Sequence, residues 1–425
     1  MSNVQNLFSQ PSFPSPLPGQ SFFGSGNIQI FNKSGTFVVP PGVTRIRVRV
    51  WGAGGSGGNA VNSPRSKAAS GGGGGGLAIK IIDTTPGTSY AVTVGTGGAA
   101  VDVSTGAGIA GGTSSFGSVC SATGGAGGNR AASSTTAPVT AAGAAGGTAT
   151  GGDFNYSGGG SGTATVQTID AANHQGAATG GGSAASIFGN GFSSGTCTIN
   201  ATVPIGIQLT ACTGGAGVGG SSGTVSSTGG ATQFLRSGGG GTYGPSNSIT
   251  TAMAGSDYNV PGGAGFTFPF SQDAAVFGQN PTATLIAYNA MPAEFYCQLG
   301  NNSAQISLGT GIGSGFNRIG SYPPGVINRF PGDILIGSAL QNDNATTREF
   351  SPPGVGTSFF GSGGTVNTFA GPLGGGTGVT DPGNNNTKGG HATVGGGGGG
   401  NASYTTVDFN ATSGRGGNGQ VIVEW

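Results

Sequence analysis

The chain has 425 residues, 96 of them glycine and 22 proline, with 14 Lys and Arg against 13 Asp and Glu for a net charge of +1. That balance excludes the basic footprint of a nucleic-acid binder, and no apolar run approaches the roughly 20 residues of a membrane-spanning helix. The glycine follows no G-X-Y period, and 23 phenylalanines with near-zero net charge argue against disorder, so the chain reads as ordered and assembled.

Residues 1–27 are rich in Pro, Ser and Phe and fit no helix or strand period. They read as an extended arm that docks Phe8, Phe13, Phe22 and Phe23 on a partner, or equally as a frayed tail. Neither a basic n-region nor an apolar h-region is present, so no secretory signal is expected. Residues 28–130 open a glycine-rich β domain. NIQIF (27–31) and TFVVPPGVTRIRVRVW (36–51) predict strands, with Pro40-Pro41-Gly42 as the turn. Ile46, Val48 and Val50 alternate with Arg45, Arg47 and Arg49, the period of two that marks a half-buried strand. LAIKII and SYAVTV, on either side of the turn at Asp83–Gly87, predict a hairpin.

Residues 131–265 read as low-charge loops of Gly, Ala, Ser and Thr. At 266–360 glycine thins out, and TATLIAY, EFYCQL, AQISL and DILIGSAL predict an inserted β module with a more ordinary core. Residues 361–425 return to glycine and end in a strand, Gln420–Trp425, that closes the first domain. Pairing of the first and last strands would bring Glu424 to the arginine face. No window combines a 3.6 period with helix formers. The expected class is therefore all-β: an antiparallel sandwich-like domain with glycine-rich loops or stacked polyglycine-II helices, plus the inserted module.

Two runs of six glycines, Gly71–Gly76 and Gly395–Gly400, stand near opposite ends of the chain. Glycine is costly to order, so a folded chain keeps such runs where a Cβ cannot fit. Six glycines in a threefold extended helix span roughly 19 Å at about 3.1 Å per residue, and such helices can hydrogen-bond side by side. Wide loops at the ends of a sandwich are the alternative. Aromatics border several glycine runs: Phe154 and Tyr156 before Gly158, Tyr243 after Gly241, Tyr258 beside Gly262-Gly263, and Tyr404 with Phe409 after Gly400. They suit ligand or receptor contact, including sugar-ring stacking, or they cap the glycine layers against water.

Chemical motifs are few. Gly52-Ala53-Gly54-Gly55-Ser56-Gly57 follows a strand as a dinucleotide fingerprint would, but residues 58–76 cannot form the helix that binds pyrophosphate. His174 and His391 have no Cys or carboxylate at metal-ligand spacing, and no nucleophile elbow, P-loop or H-E-x-x-H occurs. Nothing fixes Asp333 and Asp343 in a hydrolase geometry. No catalytic residue, metal or cofactor is expected, and the chain is not read as an enzyme. Among Cys120, Cys197, Cys212 and Cys297, only Cys197 and Cys212 are placed to meet, as a cross-strand disulfide or as small buried thiols.

Four stretches, in order, carry a resemblance: GTFVVPPGVTRIRVRVWGAGGSGG (35–58), GGGGGGLAIKIIDTTPGTSYAVTVGTGG (71–98), GGTSSFGSVCSATGGAGG (111–128) and GRGGNGQVIVEW (414–425). They resemble a glycine-rich domain of bacteriophage tail fibres and related virion appendages. The resemblance implies one β domain whose first and last strands come together and, as in similar tail-fibre adhesins, stacked polyglycine helices with host-contacting loops. The interior, 131–387, departs from the pattern, so no receptor-binding residue is carried over. The expectation is a non-enzymatic virion structural protein of a tail fibre or appendage, made in the host cytoplasm. Its expected partners are other virion proteins, a host-surface glycan or outer-membrane protein, and its own copies, as a trimer in a fibre. The alternative is a head-associated or capsid-decorating protein; a cellular surface matrix protein is a third reading.

Overall fold

The computed structural model describes residues 27–60, 66–102, 106–133, 138–167, 175–199, 209–217, 221–227, 233–236, 258–259, 373–376, 378, 380, 388–402 and 411–425. The predicted inserted module at 266–360 and the arm up to residue 26 lie outside them. The described residues are all-β, with twenty strands in four sheets and no helix.

Two antiparallel sheets make the first sandwich. One runs in the order β1 (Ile28–Phe31), β20 (Gln420–Glu424), β3 (Arg45–Trp51), β5 (Leu77–Asp83), β12 (Phe154–Tyr156). The other runs β11 (Ala149–Thr150), β8 (Cys120–Ala122), β7 (Ser114–Phe116), β6 (Ser89–Thr93), β2 (Gly35–Val38). The predicted alternation on β3 holds: Ile46, Val48 and Val50 are buried, facing Phe37, Val92 and Phe116 across the core together with Val421 and Val423. The Phe116 ring lies 4.7 Å from Tyr90 and 6.1 Å from Phe37. Each such side chain contributes about 1.5–3 kcal/mol by leaving water.

The predicted hairpin does not form. β5 pairs with β3 and β12, whereas β6 pairs with β2 and β7 in the facing sheet. The turn between them is held from outside: Thr84 N–H donates to Thr44, and Gly87 N–H to Val39. β3 and β5 are each seven residues long and match end to end, which the five residues of β6 cannot do. Long-range pairing with the better-matched strand therefore wins over proximity in the chain.

A second sandwich faces one sheet, β10 (Val139–Ala141), β13 (Ala164–Val166), β15 (Cys197–Ile199), β17 (Val225–Ser227), with another, β19 (Tyr258–Asn259), β18 (Gln233–Arg236), β16 (Leu209–Cys212), β14 (Gln175–Ala178), β4 (Ser66–Ala69), β9 (Arg130–Ser133). Its core is small: Ala68, Val139, Ala141, Val166, Ile199 and Val225 among others. Here most pairs are parallel, in contrast to the antiparallel expectation. The reason is directional. β4, β14 and β16 each lead into a glycine-containing segment, at 70–76, 179–185 and 213–217, while β13 and β15 each emerge from one, at 157–163 and 191–196.

Between the sandwiches these segments stack as extended helices, which decides between the two readings of the glycine runs. Around Gly71–Gly76, successive N–H groups turn to different neighbours with a period of three. Gly72 and Gly75 donate to Gly398 and Gly395, whereas Gly73 and Gly76 donate to Ala126 and Thr123. Gly74 donates to Gly159. In return Gly52 and Gly55 donate to Gly76 and Gly73, Gly182 and Ala185 to Gly72 and Gly75, and Gly147 to Gly74. The run is thus enclosed by segments on all sides, antiparallel to 52–58 and 395–398 and parallel to 179–185. A Cβ on Gly73 would lie 1.9 Å from the Ala145 carbonyl oxygen, and one on Gly54 1.8 Å from that of Gly396. Larger residues survive where the threefold turn faces out: Ala142, Ala145 and Thr148 are exposed, and Ala144 and Gly147 between them are buried. Fixing a residue's backbone costs about 1–2 kcal/mol, and glycine about 0.5–1 kcal/mol more than alanine, against a net gain of about 0.5–1.5 kcal/mol per hydrogen bond. The lattice therefore does not hold by its hydrogen bonds alone, and the apolar sandwiches at its ends tip it toward the folded state.

Candidate functional site

The outer face of the first sheet brings together Phe154 and Tyr156 with Arg47 and Arg49. Register places Ile28, Glu424, Arg47 and Ile81 in one row across the sheet, and Ile30, Ile422, Arg49, Ile79 and Phe154 in the next. Glu424 is buried, with its side chain 5% exposed, and forms ion pairs with both Arg47 and Arg49. Terminal-strand pairing therefore puts Glu424 among the arginines, as the alternation predicts. Burial, and then the neighbouring Arg47 charge, holds the Arg49 guanidinium below its ordinary value. Arg45 instead pairs with Asp83 at 2.6 Å in solvent, and that bond lowers the Asp83 carboxyl below the usual range.

β12 forms the edge of this sheet, and Asp153 anchors it. The Asp153 carboxylate accepts from the Ile81 N–H at 2.8 Å and from Lys80 Nζ at 2.6 Å. The Ile81 bond first, and then Lys80, holds its pKa below 3.8. The turn ahead of the strand is closed by Asn155, whose amide both accepts from Gly152 N–H and donates to Gly152 O. Phe154 and Tyr156 follow on this anchored edge, with near-parallel rings whose centroids lie 6.5 Å apart. Phe154 is 56% exposed. Together with Ile79, Ile81 and Ile187 they line an open groove of about 370 Å³ whose other wall carries Arg47 and Arg49. An aromatic platform beside aliphatic and charged groups has the chemistry to hold a sugar ring or an amphipathic protein loop.

The sequence reading missed Ile187 and Phe188. They occupy a tight turn in which Ser186 and Gly189 exchange backbone hydrogen bonds, and Phe188 is 71% exposed. Three bulky apolar residues in SIFGNGF, Ile187, Phe188 and Phe192, near Gly180–Gly182, were the available signal. Of the other candidates, Tyr258 belongs to β19, in the second sandwich rather than at this face. Tyr243, Tyr404, Phe409, Phe8, Phe13, Phe22 and Phe23 lie outside the described residues, as do His174, Asp333, Asp343 and Cys297.

Residues 32–231 match the family described as a glycine-rich domain. The chain carries a glycine-rich domain. No curated protein matches the chain significantly. The matched span of the glycine-rich domain runs from β2 to β17, but its first sheet is completed by β20 and its lattice by Gly395–Gly398. Within the domain the fingerprint-like residues 52–57 are lattice. Gly52, Gly54, Gly55 and Gly57 donate to Gly76, Gly417, Gly73 and Gly414, so the N–H groups that would cradle a phosphate are already engaged.

Cys120, Cys197 and Cys212 are buried, and none of them forms a disulfide. Cys197 Sγ lies against the Ala211 carbonyl at 3.1 Å. Ala211 packs in the core that holds Cys197, while Cys212, one residue on, packs on the other face of β16. Strand alternation thus separates the two sulfurs. Burial pushes the Cys120 thiol up to about 11 and that of Cys197 well above its ordinary value.

Proposed function

We propose that this chain is a non-enzymatic structural protein of a bacteriophage tail fibre or similar virion appendage, and that it contacts the host surface. The observation that carries this reading is the exposed Phe154–Tyr156 platform on an edge strand fixed to a glycine lattice. A lattice whose N–H and C=O groups bond to one another across segments far apart in sequence is stiff, and it holds a contact surface in place before the ligand arrives. The ligand of this face is a host glycan or an outer-membrane protein, and repeated copies along an appendage would multiply a weak contact into attachment. The resemblance of 35–58, 71–98, 111–128 and 414–425 to appendage domains supports the virion setting.

Two measurements test the reading. A labelled antibody against the purified chain should decorate the tail appendage in micrographs of virions; decoration of the head would instead favour a capsid-associated protein. The purified chain should bind host cells and block infection. An absence of both would end the attachment role while leaving the structural one to the antibody experiment.

A further inference from the structure

The first sheet ends on β1 at the side away from β12, and among the described residues no strand lies beyond it. The Trp425 N–H donates to the Asn27 carbonyl at 3.1 Å, so the directly opposed residues Asn27 and Trp425 form a bonded pair. Bonded and non-bonded pairs alternate along an antiparallel ladder. Gln29 and Phe31, opposite Val423 and Val421, therefore turn their N–H and C=O groups inward to β20. Ile28 and Ile30, opposite Glu424 and Ile422, turn theirs outward.

The same two residues expose their side chains. Ile28 is 50% and Ile30 51% exposed, on the outer face of the sheet, while Phe31 packs into the core on the other. Residues 27–32 hold neither charge nor proline, and β1 follows β20 residue for residue without a bulge. Sheet edges in soluble proteins are usually blunted by one of these devices. β2, the edge of the facing sheet, lies alongside: a Cβ on Gly35 would meet the Phe31 ring at 3.6 Å. Its sequence GTFV is also uncharged, and Val38 is 54% exposed.

We infer that β1 is an interface between two copies of this chain, the two β1 strands pairing antiparallel about a twofold axis at Gln29. A second copy fits because the strand is complementary to itself in this register. Ile28 lies opposite Ile30 of the second copy, and Ile30 opposite its Ile28. Each of these pairs exchanges two backbone bonds through the groups that face outward. At the axis Gln29 meets its own counterpart, and a primary amide both donates and accepts. No charge meets a like charge along the seam, and a net charge of +1 leaves two chains little mutual repulsion. An isologous contact of this kind closes at two copies. The joined sheet runs from β12 of one copy to β12 of the other, with both outer faces on the same side. The two Phe154 platforms then act together; that consequence alone rests on the host-contact reading, and the pairing stands without it.

Sedimentation equilibrium of the full chain over a micromolar concentration series tests this, and should show a monomer–dimer equilibrium. Ile30→Pro removes an N–H that β20 does not use, and with it two of the four bonds across the axis, so the dimer should weaken about tenfold or more. Gln29→Lys, at an exposed position, sets like charges directly opposite each other and should weaken the dimer several-fold without lowering the melting temperature. Cross-linking reads the register. In a Cys297→Ser background with oxidised glutathione, Gln29→Cys should give a covalent dimer, because the non-bonded pair at the axis has the close Cα spacing a disulfide needs. Ile28→Cys, whose counterpart is Ile30 of the second copy, should give far less. A chain that stays monomeric, its edge then left to its own arm or to another protein, would overturn the assignment. So would a trimer, a dimer that both Ile30→Pro and Gln29→Lys leave unchanged, or equal cross-linking at positions 28 and 29.

Discussion

The N–H of Gly72 donates to the carbonyl oxygen of Gly398 at 2.8 Å, joining the two six-glycine runs that stand near opposite ends of the sequence. The bond is one of many that cross the lattice, and it makes residues 388–402 part of the same folded body as the start of the domain. Stability, thiol chemistry and recognition all follow from that closure.

Gly73→Ala should destabilise the fold by about 2–3 kcal/mol, the upper part of the range of about 1–3 kcal/mol usual for overpacking, because its Cβ would fall 1.9 Å from the Ala145 oxygen. Ala145→Ser, at an exposed turn of the neighbouring segment, should stay within about 0.5 kcal/mol of the parent. Denaturant titration of both variants distinguishes a lattice from loose loops, for which the two changes would be alike.

Glu424→Gln should cost about 2–3 kcal/mol, less than a fully buried pair because solvent still reaches Arg47. It leaves Arg47 and Arg49 side by side without their carboxylate. A double-mutant cycle should show stronger coupling of Glu424 to Arg49, 22% exposed, than to Arg47, 35% exposed. Equal and negligible couplings would mean that the pair is merely a surface contact.

Asp153 ties β12 to β5 and titrates below 3.8. Its unfolded form takes up a proton first, so its contribution is complete above the unfolded pKa and is lost as pH falls through the folded one. Asp153→Asn should therefore melt lower than the parent at pH 6, with the difference shrinking as the pH falls through the lowered folded-state value and the parent carboxyl protonates. Melting curves from pH 2 to 7 check this; a difference that stays constant across the range would point to packing rather than charge.

In a Cys297→Ser variant, the three remaining thiols are buried. With Cys120 near 11, only about one thiol in a thousand is ionised at pH 8. A thiol-reactive dye should label the folded protein far more slowly than the urea-unfolded one, and mass spectrometry should find no disulfide. Rapid labelling of the native protein would show that one of the two sandwiches opens to expose its thiols.

Phe154→Ala should leave the melting temperature nearly unchanged, since the ring is 56% exposed, yet reduce host-cell binding about tenfold if it supplies a stacking contact of about 1–1.5 kcal/mol. A flow-cytometric binding curve measures it. Unchanged binding would remove Phe154 from the contact surface.

Local chemistry alone made much of this protein legible. The alternation of Ile46, Val48 and Val50 with arginines required a half-buried strand, and the alternation around Glu424 pointed it toward Arg47. The glycine runs, with hardly any charge or helix-forming windows, excluded a helical fold. These are properties of neighbouring residues, set by side-chain period and backbone entropy. Tertiary structure decided the rest. Whether LAIKII zips with SYAVTV or with β3 depends on a match between strands that the turn does not encode, and the longer, better-registered pair wins. Parallel pairing in the second sandwich follows from the direction in which each strand meets the lattice. The face around Arg47, Arg49 and Phe154 draws on segments more than a hundred residues apart. Glycine carries no side chain to signal its neighbour, so which runs lie together is written only in the three-dimensional pattern of backbone hydrogen bonds.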